Sequence, residues 1–292
     1  MSVSSLGYVR IAMGNPQEWA EVGQDILGFV ATTGEDESVR LKMDEAPFRY
    51  LVEKGDADGF VCAGWEYPAE QFDDLVRSLE TAGINVQHGD DAACSARAVK
   101  ALISFVDPAG NLVEVFHTRD EADSFESPLG IRYVAGELGL GHCVLPAIEH
   151  EATSAFYESS LGFGRCDTLV LPAPAEGAPE MRIHFYHADN PRHHSLALFN
   201  GPAPSGAVHL MTEMTSIDDI GACQDRVNAA GLPVITTLGR HINDNMVSFY
   251  FLAPGGIPME VGYDGFQFDW TDFEPTLSTE GDHWGHEYNF PA

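Results

Sequence analysis

Positive charge is what this chain has least of. Its 292 residues include 45 aspartates and glutamates but 15 lysines and arginines, a formal net charge of −30. A polyanion of that size repels phosphate backbones and anionic lipid surfaces, and no basic stripe offsets it, so nucleic-acid binding is excluded. Long apolar runs are missing too. Nothing approaches the roughly 18 uninterrupted apolar residues of a membrane span. The opening MSVSSLGYVR has no basic segment followed by an apolar one, which argues against a secretory signal. The five cysteines (Cys62, Cys94, Cys143, Cys166, Cys223) are widely spaced, and no C-x-x-C pair occurs, so no disulfide frame is expected. These absences lead to an expected cytoplasmic setting with no membrane span. The short-range zinc pair H-E-x-x-H is absent as well. The glycines of Gly136-Glu-Leu-Gly139-Leu-Gly141 do not keep the G-x-G-x-x-G spacing of a dinucleotide loop.

What remains is ordinary globular material. A hydrophobic fraction of 44% and a charged fraction of 21% suit a chain of about two domains. The informative feature is an internal repeat. SLGYVRIAMGNPQEWAEVGQDILGF near the start is matched by GLGHCVLPAIEHEATSAFYESSLGF near the middle. Leu6-Gly7 pairs with Leu140-Gly141, and Leu27-Gly28-Phe29 with Leu161-Gly162-Phe163, both at an offset of 134. Later anchors keep the order. Gly59 to Glu66 aligns with Gly206 to Glu213 at an offset of 147, and Asp107 to Glu114 with Ala253 to Glu260 at 146. The growth in offset places an insertion in the second copy, most naturally in LPAPAEGAPEM, which has the Pro and Gly content of a surface loop. Each copy reads as two β-α-β-β-β modules, with second helices over Glu70–Ala82 and Ile217–Ala230. The expected fold class is α+β: two tandem domains, 1–132 and 133–292, each forming a curved mixed sheet around a cavity.

The two copies differ at two of three equivalent strand positions. The first holds Tyr8, Cys62 and Glu114; the second holds His142, His209 and Glu260. Two imidazoles and one carboxylate, each on its own strand, are the ligand set of a non-haem Fe(II) centre with open positions. The first copy then becomes the structural one. A lone histidine on an apolar strand is usually a satisfied core residue, so it is the set that carries the argument. Eight of the twelve histidines fall within residues 142–241. His88, His117, His150, His283 and His286 read as polar loop or surface positions, the last two in a near-terminal segment expected to be solvated.

GRHINDNMVSFYFLAPGGIPME, Gly239 to Glu260, resembles the signature of extradiol ring-cleavage dioxygenases through His241, Phe249-Tyr250, Ala253-Pro254, Gly256 and Glu260. With the two-copy layout and Asn190-Pro-Arg192-His193-His194, the whole chain is similar to type I extradiol dioxygenases of the vicinal oxygen chelate superfamily. The resemblance is in particular to those acting on 2,3-dihydroxybiphenyl. It implies that His142, His209 and Glu260 bind Fe(II), with Mn(II) the lesser choice. It implies that His194 is the acid/base residue, that His241 and Tyr250 hydrogen-bond a bound catecholate, and that Asn243 and Asp244 support them. Val144, Phe185, Tyr186 and Phe199 are candidates for the pocket wall. The implied partners are a 3-substituted catechol and dioxygen, in a homo-oligomer. The alternatives are a glyoxalase-like isomerase or lyase, and a non-catalytic small-molecule binder of the same fold.

Overall fold

The protein is described from a computed structural model over residues 2–289, apart from 174 and 176. The expected insertion LPAPAEGAPEM lies between two strands, with Pro174 and Glu176 outside the described residues. The first half contributes β1 (Ser5–Met13), β2 (Val30–Thr33), β3 (Val39–Lys42), β4 (Tyr50–Lys54), β5 (Gly59–Glu66), β6 (Gln87–His88), β7 (Val99–Val106) and β8 (Leu112–Arg119). They form one sheet in the order β2-β3-β4-β1-β5-β8-β7-β6. The second half contributes β9 (His142–Pro146), β10 (Gly164–Leu171), β11 (Met181–His187), β12 (Leu196–Phe199), β13 (His209–Glu213), β14 (Val234–His241), β15 (Val247–Ala253), β16 (Ile257–Tyr263), β17 (Thr276–Ser278) and β18 (Asp282–Trp284). Their order is β17-β10-β11-β12-β9-β13-β16-β15-β14-β18. Without its two outermost strands, the second sheet repeats the first strand for strand. Both are mixed and open.

Register repeats as well. Arg10 pairs with Cys62 in the first sheet, and Val144 with His209 in the second. Gly64 pairs with Glu114, and Met211 with Glu260. Both correspondences keep the offsets of the sequence repeat, so the three positions of the ligand set are equivalent in space to Tyr8, Cys62 and Glu114.

The helices follow the same plan: Gln17–Glu21 continuing as a π-helical turn over Val22–Leu27, Phe72–Thr81, His150–Leu161 and Ile217–Ala229. The repeated Leu-Gly-Phe is a helix stop. Gly28 (φ 79°) and Gly162 (φ 75°) take the left-handed conformation that ends a helix, which a side chain would strain. Helix His150–Leu161 buries Thr153, Phe156, Tyr157 and Leu161, a stripe of 3.6-residue period laid on the sheet. One apolar core runs through both halves. Trp65 meets Phe163 edge-to-face at 4.9 Å, and Phe105 meets Phe156 at 5.7 Å. Main-chain bonds from Leu140 N to the Leu6 carbonyl and from Val3 N to the Leu161 carbonyl, both 3.0 Å, join the halves. No helix among the described residues is long and apolar enough to cross a membrane.

The faces away from the helices are where the copies part. In the first half, Tyr8, Phe48, Leu51, Val99, Leu102 and Phe116 fill that space, with an extra helix, Asp91–Arg97, packed over them. In the second half the same face lines a cavity of about 840 Å³.

Candidate active site

Strand alternation selects the cavity's lining, because residues two apart share a face. His142 and Val144 on β9, Ile183 and Phe185 on β11, Tyr250 and Leu252 on β15, and Pro258 and Glu260 on β16 all face inward. Gly141 makes the close approach at the deep end. A Cβ there would sit 2.1 Å from the Met211 carbonyl oxygen, so only glycine lets β9 run tightly against β13 just before His142.

At that end three strands converge. His142 Nε2 and His209 Nε2 stand 3.0 Å apart, and Glu260 Oε2 lies 3.1 Å from the first and 3.2 Å from the second. Three donors at right angles about an ion some 2.1 Å away would be about 3.0 Å apart, and tetrahedral ones about 3.4 Å. The observed spacing is nearer the facial arrangement. Burial lowers the His142 pKa to about 4, which keeps its imidazole neutral and its lone pair available. Burial opposes ionisation of Glu260, but the surrounding imidazoles hold its carboxyl well below the usual range. The donor set is therefore two imidazoles and one carboxylate, which suits a divalent metal. His142 Nδ1 has no hydrogen-bond partner among the described residues; its ring is steadied instead by stacking on His194 at 4.1 Å.

His194 is positioned by the segment before it. Asn190 Nδ2 donates to the Ser4 carbonyl at 2.7 Å, and Arg192 is buried, with Nη1 on Glu213 at 2.5 Å and Nη2 on the Val134 carbonyl at 2.6 Å. Asn190 and Arg192 thus anchor the turn that presents His194 to the cavity. His194 Nδ1 meets His193 Nδ1 at 3.0 Å and lies 3.9 Å from Asp244 Oδ2, while its Nε2 makes no hydrogen bond among the described residues. Burial, with His142 and His193 alongside, holds its pKa well below the usual histidine value. His241 differs. Burial disfavours its charge, but Asp282 and Glu260 raise its pKa to about 10. Its Nε2 meets Tyr250 Oη at 2.8 Å and stands 3.4 Å from Glu260 Oε1. Asn243 and Asp244 line the cavity between these groups.

Val144, Phe185 and Phe199 line the wall, as the sequence suggests, but Tyr186 does not. Tyr186 points through the opposite face of β11, where its hydroxyl lies 3.4 Å from His184 Nδ1, because alternation sends neighbouring residues to opposite faces. His184 shares that far face with His150. The latter is no loop residue: it opens a helix and is buried, 3.0 Å from the Leu198 carbonyl. His187 stacks on Trp270 at 3.8 Å. His286 also corrects the sequence reading. It is 3% exposed rather than solvated, its ring centroid 4.2 Å from that of His241. Asp282, which bonds both rings, and Gly281 and Tyr288 beside it complete the cavity. No repeat counterpart or motif marked them in the sequence.

In the first half, Glu114 receives cations of another kind. Arg10 Nη1 donates to it at 2.7 Å, Arg97 Nη2 at 3.0 Å and Tyr8 Oη at 2.6 Å. Guanidinium groups supply the charge that the second half leaves to a metal.

The chain is also similar to known proteins. Residues 139–261 match the family model of the glyoxalase/bleomycin resistance protein/dioxygenase superfamily, and residues 6–55 match that of dihydroxybiphenyl dioxygenase BphC D1. An iron-dependent extradiol dioxygenase of Rhodococcus jostii is 39% identical over 297 residues, covering 99% of this chain and 98% of the relative. This chain belongs to the extradiol dioxygenase family. Another member, the biphenyl-2,3-diol 1,2-dioxygenase of Paraburkholderia xenovorans, is 35% identical, covering 92% of this chain and 90% of its own. The crystal structure of a halotolerant catechol dioxygenase, BphC, superposes with a TM-score of 0.89 at 30% identity, covering 98% of this chain and 95% of that one. The extradiol dioxygenase fold is thus kept over essentially the full length.

Proposed function

We propose that this protein is an Fe(II)-dependent extradiol dioxygenase. Its substrate is a catechol with a bulky apolar 3-substituent, such as 2,3-dihydroxybiphenyl or a related bicyclic or steroid-derived catechol. The ring opens beside the diol, both atoms of dioxygen enter, and the product is a semialdehyde or dienoate. The observation that carries the reading is the triad of His142, His209 and Glu260 at 3.0–3.2 Å, set at the end of a large cavity with apolar walls. Within the proposal, 133–292 is the catalytic copy and 1–132 the structural copy.

The metal would be held by His142 Nε2, His209 Nε2 and Glu260. When bound, it supplies a Lewis acid that lowers the pKa of catechol hydroxyls and a redox centre between diol and dioxygen. The protein's own groups do the rest. Apolar walls at Val144, Ile183, Phe185 and Phe199 accept the substituent and exclude water. His194, buried and neutral with Nε2 free, can take a proton from a hydroxyl and return it later. His241 and Tyr250, joined at 2.8 Å, present a hydrogen-bonding edge on the other side of the triad, with Asn243 and Asp244 in support. A glyoxalase-like reaction or mere binding would leave this pair and His194 without a task.

The test is anaerobic reconstitution with Fe(II), then air and a panel of catechols. Dioxygen uptake and a yellow product are expected, with kcat/KM highest for the bulkier substrates. Silence from every catechol overturns the reading. The proposal also includes self-association and a cytoplasmic setting, checked by light scattering and cell fractionation.

A further inference from the structure

Residues 276–288 have no counterpart in the first half. β17 lies parallel on β10 at one edge of the ten-stranded sheet, and β18 antiparallel on β14 at the opposite edge. The four steps from Ser278 to Asp282 reach at most about 14 Å. The sheet therefore curls until its edges nearly meet, and this strap closes the gap. Both ends are tied. Thr276 Oγ1 and Ser278 Oγ donate to the buried Asp167 at 2.6 and 3.0 Å. Beyond β18, Glu287 N donates to Thr237 Oγ1 at 2.9 Å and Asn289 N to the Ile235 carbonyl at 2.7 Å.

Between these anchors the strap brings one carboxylate to the cavity. Asp282 Oδ1 lies 2.7 Å from His241 Nδ1 and 2.5 Å from His286 Nδ1. His286 is held in turn, its Nε2 donating to the Ser248 carbonyl at 3.0 Å. The orientation of His241 follows from this. With Nδ1–H donated to Asp282, Nε2 is the nitrogen that faces Tyr250 and Glu260. A half-turn of the ring would put carbon there instead. Opposed by burial, the two imidazoles still hold the Asp282 carboxyl down at about 2, so the acceptor is charged and the bond strong.

We infer that Asp282, seated by His286, is a positioning residue for His241, and that the strap is a working part of the active site. The catalytic consequence rests on the extradiol reading; the orientation of His241 does not. Two measurements therefore run together on the wild type, Asp282→Asn, Asp282→Glu and His286→Gln. The first is ¹⁵N NMR of imidazole-labelled protein loaded with Zn(II). The wild type should show the His241 Nδ1–H as one slowly exchanging signal, and Asp282→Asn should broaden or lose it. The second uses Fe(II)-loaded protein. Asp282→Asn should keep its iron and lose about 10–100-fold in kcat, as removal of partners that orient active-site histidines does elsewhere. KM for the catechol should move by less than about threefold. Asp282→Glu should recover part of the loss, and His286→Gln should fall between. An unchanged His241 signal in Asp282→Asn, or unchanged kcat, overturns the inference. So does loss of iron in both Asp282→Asn and His286→Gln, which would make the strap a structural strut. If the wild type turns over no catechol, the extradiol reading fails while the NMR still decides the positioning.

Discussion

Glu114 and Glu260 occupy the same place in two copies of one sheet, so the same substitution should have opposite consequences. Glu114 is 3% exposed and carries Arg10, Arg97 and Tyr8. Glu114→Gln keeps the shape and leaves two guanidinium groups facing a neutral amide. Breaking a buried ion pair by removing one charge costs about 3–5 kcal/mol. Arg10 and Arg97 are 15% and 12% exposed, so water relieves part of this, and the low end of about 3 kcal/mol applies. Unfolding entropy of about 2.1 cal/mol/K per residue amounts to about 0.6 kcal/mol/K over 292 residues. Calorimetry should therefore show a Tm about 5 °C lower. Iron content and catechol turnover should stay at wild-type levels, since Glu114 lies in the sheet without the triad. Glu260→Gln should instead strip the metal. A Glu114→Gln protein that loses iron, or melts within about 1 °C of wild type, refutes the idea that arginines stand in for the metal in the first half.

Other outcomes follow from the same geometry. His209→Ala should abolish iron retention, whereas His194→Ala should keep iron and lose most turnover; iron loss in the latter, read by metal analysis, would reverse their roles. Ile183→Trp, which narrows the apolar wall, should lower kcat/KM for a biaryl catechol about tenfold and leave unsubstituted catechol nearly unchanged. Asp44 is partly buried against Arg49 and accepts from Gly136 N, contacts that outweigh burial and depress its folded pKa. Its stabilisation is present above the unfolded value of about 3.9 and is lost as pH falls through the folded one. Asp44→Asn should thus lower the urea midpoint at pH 7, with the gap from wild type closing below about pH 4.

The repeat was readable because each anchor is local. Leu-Gly-Phe needs only a helix and the left-handed glycine that ends it, and each of His142, His209 and Glu260 sits at a fixed place on its own strand. Phe185 and Tyr186 show the limit. Alternation says that one faces inward, and only the packing of helix His150–Leu161 on β11 decides which. His286 departs from its expected solvated setting for a related reason, since a polar residue in such a segment is buried only if a distant strand receives it. Ser248 and His241, each about 40 positions away, do so here.

Sequence alone determined the duplication, the two modules in each copy and the ligand set that distinguishes the second from the first. These depend on residue type, spacing and the period of a strand, which a chain carries before it folds. Tertiary structure decided what surrounds that set. It put two arginines on Glu114, filled one cavity with aromatic side chains and left the other open, and curled the second sheet until a C-terminal strap could set Asp282 against His241. Those outcomes are contacts between residues far apart in the chain, fixed by which faces pack and which edges meet.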